Sequence, residues 1–384
     1  MMRVPTLFEG DLWTDEEQSY WLAFSQLSGP GFGVTKLRNL FEEFHTLKPI
    51  WNADREMLVQ LKVLSHDGID LFLQRRKTID PPALLEELKQ NGIKAFPLLH
   101  PSYPFRLREI HDPPLVIYMR GELSPEDLTY SAAVIGTRKP TSYGQRIAKD
   151  MARSLSQAGV AVISGMAVGI DSLAHYGAIE GGGKTVAVLA SGVDICYPSS
   201  NRPLFNKLVD GSHGAVISEF PPGTRPEQWR FPARNRIISG LSEVVLVIEA
   251  GETSGSLITA RLAFEQNRDV FAVPGRIDSA ASKGCHQIIR DTMATLLTSV
   301  DEIMKAKNWV TAAPVRNVPT VVELYGREKE LFELLSNEPM HFDMLCEKSG
   351  MSPPELSATL TMLELSGVVT RHTGDWYSRE FIIK

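Results

Sequence analysis

The chain has 384 residues, 43% of them hydrophobic and 22% charged, and its 40 Lys and Arg against 46 Asp and Glu give a formal net charge of −6. That length has room for two or three domains with full cores, and the composition excludes disordered, collagenous and membrane-embedded classes. The charge is uneven: residues 1–130 hold 14 basic and 19 acidic residues (−5), residues 131–300 hold 17 and 14 (+3), and residues 301–384 hold 9 and 13 (−4). An anionic ligand therefore belongs in the middle third. Cys196, Cys285 and Cys346 are far apart, with no paired spacing, which argues against disulfides and zinc. No apolar stretch approaches the roughly 18 residues of a membrane span. Glu9, Asp11 and Asp15 to Glu17 are foreign to a signal peptide, so a cytoplasmic, membrane-free protein is expected.

The first segment, residues 1–85, reads as helical. Tyr20, Trp21, Phe24 and Leu27 recur at helical spacing, and "GPGFGVTKLRNLFEEF" follows as a glycine-rich turn feeding a second amphipathic helix. Such a turn can present backbone N–H groups to a phosphate; it can equally be a plain helical hairpin with only Lys36 and Arg38 for charge. "LLHPSYPFRLREIHDPPLVIYMRG" then reads as a proline-rich, turn-rich connection packed on the central domain.

Residues 86–305 form that central domain. Short apolar runs at 132–136, 160–164, 185–190, 215–219, 244–248 and 270–273 alternate with helical stretches at 144–157, 171–180, 201–208 and 256–266. That alternation predicts an α/β fold with a parallel sheet covered on both faces, and ligands outside the carboxyl ends of its strands. The turns at those ends are Gly136-Thr137-Arg138-Lys139, Ser164-Gly165 through Gly169, Gly192 through Asn201-Arg202, "FPPGTRPEQWRFPARNR", Ser254-Gly255-Ser256, and Arg276 with Lys283. Glycines, helix-opening hydroxyls and Arg138, Arg202, Arg234 and Arg236 thus converge on one edge, a pattern suited to phosphate groups. The plainer alternative is that Arg234 and Arg236 pair with Glu219, Glu249 or Glu252 and brace the sheet. Asp171 and His175 share a helix face, which more often serves packing and the helix dipole than catalysis. The sequence contains no GxGxxG, no GxxxxGK[ST] and no evident catalytic set; the turns offer binding.

Residues 306–322 read as a linker and residues 323–384 as a winged helix. In it "MSPPELSATLTMLELSGVV" forms the second helix of a helix-turn-helix, with proline in its first turn and Gly367 beyond its end. Nothing between Ser349 and Thr370 is basic, and Glu355 and Glu364 lie on that helix, so duplex reading is electrostatically poor. A protein contact or a modulatory cap suits the segment better.

"VIGTRKPTSYG", "ISGMAVGIDSLAHYGAIEGGGKTVAVLASGVDICYPSSN", "SEFPPGT", "FPARNRIISGLSEVVLVIEA" and "SGSLITARLAFEQNRDVFAVPG" together resemble the DNA-processing protein A (DprA/Smf) family over about 160 residues. The flanks agree with longer members: a sterile-alpha-motif-like or helix-hairpin-helix-like segment before an extended Rossmann-like domain, and a winged helix after it. The resemblance implies a non-enzymatic mediator without cofactors that binds single-stranded DNA, protects it, dimerises, and loads the recombinase RecA during natural transformation. It places the DNA pocket on Gly136, Thr137 and Arg138, on the turn from Ser164 and Gly165 to Gly169, on the "YPSSN" loop that ends at Asn201, and on Arg234, Asn235 and Arg236; Lys139, Arg202, Phe231 and Ser254, Gly255 and Ser256 join the DNA-binding candidates from their places in the turns. Ser199 and Val168 stand where basic residues are common in the family, which puts affinity in question. Tyr143, Tyr197 and Phe231 are the aromatics available for base stacking, Phe231 foremost. The dimer implied by the resemblance is assigned to Ile288, Ile289 and Leu296, which could equally serve the core. The competing class is a Rossmann-like nucleotide-binding or nucleotide-hydrolysing protein, but "EAGETSGSLITA" lacks the glutamate spacing of the phosphoribosyl-cleaving enzymes.

Overall fold

The computed structural model describes residues 13–27, 33–62, 64–309, 324–336, 338–366, 368–372 and 374–379. The glycine-rich turn at 28–32, most of the linker, and Gly367 lie outside the described residues. The chain divides into two compact units, Met1–Pro314 and Val315–Lys384.

Among the described residues the first unit opens with the α-helices α1 (Asp15–Gln26), α2 (Val34–Phe44), α3 (Lys48–Asn52), α4 (Arg55–Leu61), α5 (His66–Arg75) and α6 (Pro81–Gln90). Their starts are written locally. Thr14, Asp54, Ser65 and Asp80 each accept a hydrogen bond from a first-turn amide, and Pro81 and Pro82 follow the last of these caps. Trp21, Phe24, Phe41, Trp51 and Phe72 fill the core of this segment with edge-on and stacked ring contacts. Buried Glu17 fastens the next loop, its carboxylate accepting from the Leu47 amide at 3.0 Å and the Thr46 hydroxyl at 2.5 Å.

The helices do not stand apart from the sheet. β1 (Lys94–Pro97) and β2 (Val116–Gly121), with α7 (Phe105–Arg108) between them, occupy the stretch the sequence pattern reads as a connection. Proline pairs at its turns masked the six-residue strand that begins two residues beyond Pro114. Gln18 donates to the Ala95 carbonyl and Trp13 to that of Leu99, tying the first helix to this edge.

Beyond them run β3 (Ser131–Ile135), α8 (Ser142–Gln157), β4 (Ala161–Ser164), α9 (Ile170–Glu180), β5 (Thr185–Val188), α10 (Arg202–Val209), β6 (Gly214–Ser218), α11 (Arg230–Leu241), β7 (Val244–Val247), α12 (Ser256–Glu265), β8 (Asp269–Ala272), α13 (Lys283–Arg290), β9 (Thr295–Leu296) and α14 (Val300–Lys307). The sheet order is β1-β2-β6-β5-β4-β3-β7-β8-β9. β3 to β9 pair in parallel, while β1 and β2 close one side antiparallel. Alternate residues serve opposite layers: Ala133, Ile135, Val245 and Val247 join one core with the first helices, and Ala132, Val134, Leu246 and Ile248 join another. Because β4, β5 and β6 step away from β3 on one side and the chain returns to β7 on the other, the strand order reverses between β3 and β7. The C-terminal edge above that reversal is where such sheets hold ligands.

The second unit holds α15 (Gly326–Leu334), β10 (Met340–His341), α16 (Phe342–Ser349), α17 (Pro353–Leu365), β11 (Val369–His372) and β12 (Trp376–Arg379), with strand order β10-β12-β11. Leu331, Leu345, Leu356, Leu360, Leu363, Val369 and Tyr377 form its core. This is a winged helix, and Arg327 reaches Glu355 of α17 at 3.6 Å.

Candidate nucleic-acid interface

At the C-terminal edge the turns are fastened to one another. Thr137 donates its amide to the Glu249 carbonyl at 2.8 Å and accepts at its own carbonyl from Ile170 at 3.2 Å, linking the turns after β3, β4 and β7. Glu249 is 2% exposed, and its carboxylate accepts from the Thr141 amide (2.9 Å) and hydroxyl (2.5 Å) just before α8. Gly169 sits at φ +86°, and a Cβ there would lie 2.6 Å from the Thr137 carbonyl oxygen, so close approach and left-handed backbone both demand glycine. Asn201, nearly buried, donates from Nδ2 to the Met166 carbonyl at 2.8 Å and joins the β5 loop to the β4 turn.

Beneath these turns lies a buried charge cluster. Arg234, 5% exposed, donates from Nη1 to the Gly165 carbonyl at 2.7 Å and to the Val188 carbonyl. Burial pulls its pKa down to about 10; Asp171 opposes that fall and Arg138 adds to it, so it remains a cation at neutral pH. Burial likewise raises the Asp171 carboxyl, while Arg234 and the Ala167 and Gly165 amides draw it back, the last at 3.1 Å. A Cβ on Gly165 would meet Asp171 Oδ2 at 2.7 Å and both Arg234 Nη atoms at 2.8 Å. His175 is fully buried with its pKa pushed down to about 3 by desolvation first and Arg234 second, and its Nδ1 lies 2.7 Å from the Thr185 hydroxyl. Because that hydroxyl donates to the Val162 carbonyl, Nδ1 carries the imidazole proton.

Two arginines expected to meet phosphates are thus held by the protein. "FPARNR" belongs to α11, because a proline in a first turn gives up no needed N–H. Helical geometry directs Arg234 under the β4 turn. It directs Arg236 to a two-pronged ion pair with Glu219, both contacts 2.7 Å, with Asp112 at 3.2 Å. The bracing alternative describes Arg236, with Glu219 rather than Glu249 or Glu252 as its partner; Arg234 pairs with none of the three and is held by the Gly165 and Val188 carbonyls beside Asp171. Ser164 is buried as well, its hydroxyl donating to the Val134 carbonyl at 2.7 Å. The Gly165 N–H and C=O are likewise used internally.

The rim carries the remaining candidates. Arg138 and Lys139 are exposed, and the Arg138 guanidinium lies 5.6 Å from the Phe231 ring centroid. Tyr197, 47% exposed, packs tilted on the same ring at 5.7 Å. Arg138, Phe231 and Tyr197 therefore form one cation–aromatic surface over the turns of β3 and β5. Arg202 is exposed with its guanidinium over Phe205, and Asn235 is half-buried. Tyr143, the third aromatic, donates to the Pro274 carbonyl at 3.1 Å. Ser254 and Ser256 share a hydrogen bond of 2.8 Å at the start of α12, and a Cβ on Gly255 would meet open space. Val168 and Ser199 are exposed apolar and polar residues of this rim.

The residues assigned to a dimer lie elsewhere and differ among themselves. Ile288 is 5% exposed in the core and Ile289 packs against the same cluster, so α13 turns these side chains inward. Leu296 lies in edge strand β9, 45% exposed, and not on a helix. Sequence reasoning also passed over Trp229, 60% exposed beside Phe231, whose signal was an aromatic within the arginine-rich turn.

A largely parallel sheet with glycine-rich turns, arginines and aromatics at its C-terminal edge, joined to a winged helix, defines a Rossmann-like binding protein. The family model for DNA recombination-mediator protein A matches residues 94–308, and that for the DprA winged helix domain matches residues 318–375. The Smf protein of Synechocystis sp. is 32% identical over 95% of this chain and 99% of its own length. The X-ray structure of DNA processing protein A from Streptococcus pneumoniae is similar with a TM-score of 0.65 at 32% identity, covering 76% of this chain and 98% of that one. A structure of DNA processing protein A from Helicobacter pylori, concerned with that protein's single-stranded DNA binding mode, covers 57% of this chain and 97% of its own with a TM-score of 0.51 at 26% identity. The chain belongs to the DNA recombination-mediator protein A family. No helix among the described residues is long and apolar enough to cross a membrane.

Proposed function

We propose that this protein binds single-stranded DNA along the C-terminal edge of its sheet, shields it, and delivers RecA to it during natural transformation. It acts as a cytoplasmic homodimer and performs no chemistry on the strand. The observation that carries this reading is the Arg138–Phe231–Tyr197 surface: a cation and two part-exposed rings placed where a sheet of this topology holds ligands. Base stacking on aromatics and backbone contact with cations are the means by which single strands are held without regard to sequence. Lys139, Arg202 and the open turn at Ser254, Gly255 and Ser256 supply further contacts for phosphates, with Gly136, Thr137, Gly169 and Asn235 shaping the surface between them. Arg234 holds the turns in register from below. Family membership and the DNA-binding Helicobacter pylori relative support the same ligand.

Fluorescence anisotropy of a labelled homopolymeric strand, titrated at several salt concentrations, tests the reading. Tight binding that weakens steeply with salt and resists duplex and mononucleotide competitors is expected. Effective competition by a mononucleotide would replace it with a small-nucleotide site. RecA delivery is measured separately, as faster RecA filament growth on a strand already coated with single-strand-binding protein.

A further inference from the structure

The arginine-rich turn before α11 carries an aromatic cluster that the pocket at Phe231 does not use. Trp229 caps α11, is 60% exposed, and donates from Nε1 to Glu227 Oε2 at 2.5 Å. The Arg230 guanidinium lies 4.8 Å from the Trp229 ring centroid and 5.2 Å from that of Phe220. Phe220 meets Trp229 edge-on, with centroids 6.2 Å apart and planes at 90°. Arg230 is itself fixed, donating to the Arg225 carbonyl and lying 3.4 Å from Glu227. The indole is therefore held by three neighbours and still open to solvent.

Its place along the edge gives it a use. Phe231 reaches back to Arg138 and Tyr197, on the turns of β3 and β5, whereas Trp229 reaches outward to Phe220, beyond the end of β6. Two peptide steps separate the residues, so their Cα atoms lie on the order of 7 Å apart or less. The rings are thus neighbouring platforms facing different turns of one edge. The surroundings of Trp229 are charged and polar, with Arg225, Glu227 and Gln228 all exposed. A held, exposed ring with a cation on it and an exposed arginine four residues away matches a base and its phosphate.

We propose that Trp229 is a second base-stacking platform, which carries the bound strand past the Arg138–Phe231–Tyr197 surface toward the β6 turn. This rests on the single-stranded DNA reading and adds to it a direction and a longer site. The test uses the full chain and oligothymidylates of stepwise increasing length. Trp229→Ala should bind the shortest competent oligonucleotide like the parent and lose about ten-fold on longer ones, the worth of one stacked base. Trp229→Phe should restore most of that loss, and the quenching of tryptophan emission by long oligonucleotides should shrink in it. Equal affinity of parent and Trp229→Ala at every length overturns the platform and leaves the pocket standing. An equal loss at every length also overturns it, because Trp229 would then support Phe231 and not a further base. Unchanged DNA binding with an altered sedimentation coefficient assigns the ring to a protein contact and overturns it as well. A parent chain that binds no oligonucleotide overturns the underlying reading together with this one.

Discussion

Arg138 and Arg234 are both candidates for one phosphate-rich ligand, yet they inhabit opposite sides of the same turns. Arg138 stands in solvent over an aromatic ring, and Arg234 is closed off beneath, its Nη1 committed to two carbonyl oxygens. The contrast separates what builds the edge from what the edge presents. A floor residue keeps turns from distant strands in register, while a rim residue does little for the fold and remains available for a ligand. Residue type alone does not distinguish the two roles; burial and partners do.

The largest effect should come from the floor. Arg234→Ala leaves the Gly165 and Val188 carbonyls without their donor and Asp171 buried without its counter-charge. Removing one partner from a buried charged arrangement costs about 3–5 kcal/mol. Urea unfolding should record that loss, and DNA binding should fall only as far as folded protein is lost. A stable Arg234→Ala protein with abolished binding would instead move Arg234 to the rim.

His175 gives a floor effect that depends on pH. Its folded pKa of about 3 lies below the ordinary 6.5, so protonation favours the unfolded chain. The stability this imidazole contributes is complete above about 6.5 and is lost as pH falls toward 3, at about 1.4 kcal/mol per pH unit. Asp171, with its raised carboxyl, works in the opposite direction, but it is common to parent and variant. Between pH 7 and 5 the parent should lose about 2 kcal/mol more unfolding free energy than His175→Gln. Parallel pH profiles would mean that the ring is protonated or hydrated in the folded state.

Much of this layout was legible beforehand, for reasons that also mark where legibility ended. The parallel strands from β3 to β8 announced themselves as short apolar runs because both faces are covered. β2 was hidden by the prolines before it, and α11 by a proline that sits harmlessly in its first turn. The edge itself followed from topology, so Gly136, Gly169, Arg138 and Phe231 could be grouped from sequence. The fates of Arg234 and Arg236 could not, since Gly165 and Val188 lie 69 and 46 residues from Arg234 in the chain, and Glu219 lies 17 from Arg236. The inward turn of Ile288 was hidden for a related reason. Amphipathic periodicity identifies a helix's apolar face, but not whether this chain or a second one covers it.

Arg138→Ala is the smaller and sharper test of the rim. Its guanidinium contacts a part-exposed ring and no buried acceptor among the described residues, so unfolding should shift by less than about 0.5 kcal/mol. Affinity for a single strand should fall about ten-fold, and the slope of log affinity against log salt should shrink by about one as a single phosphate contact disappears. Arg138→Lys separates the two contributions of the side chain. Lysine keeps the charge and hence the salt slope, but its compact ammonium lacks the flat face that guanidinium lays on Phe231. An intact slope with reduced affinity would assign Arg138 to ordering the aromatic surface, and a full rescue would assign it to the phosphate. Either result differs from that of Arg234→Ala, whose loss appears in unfolding before it appears in binding.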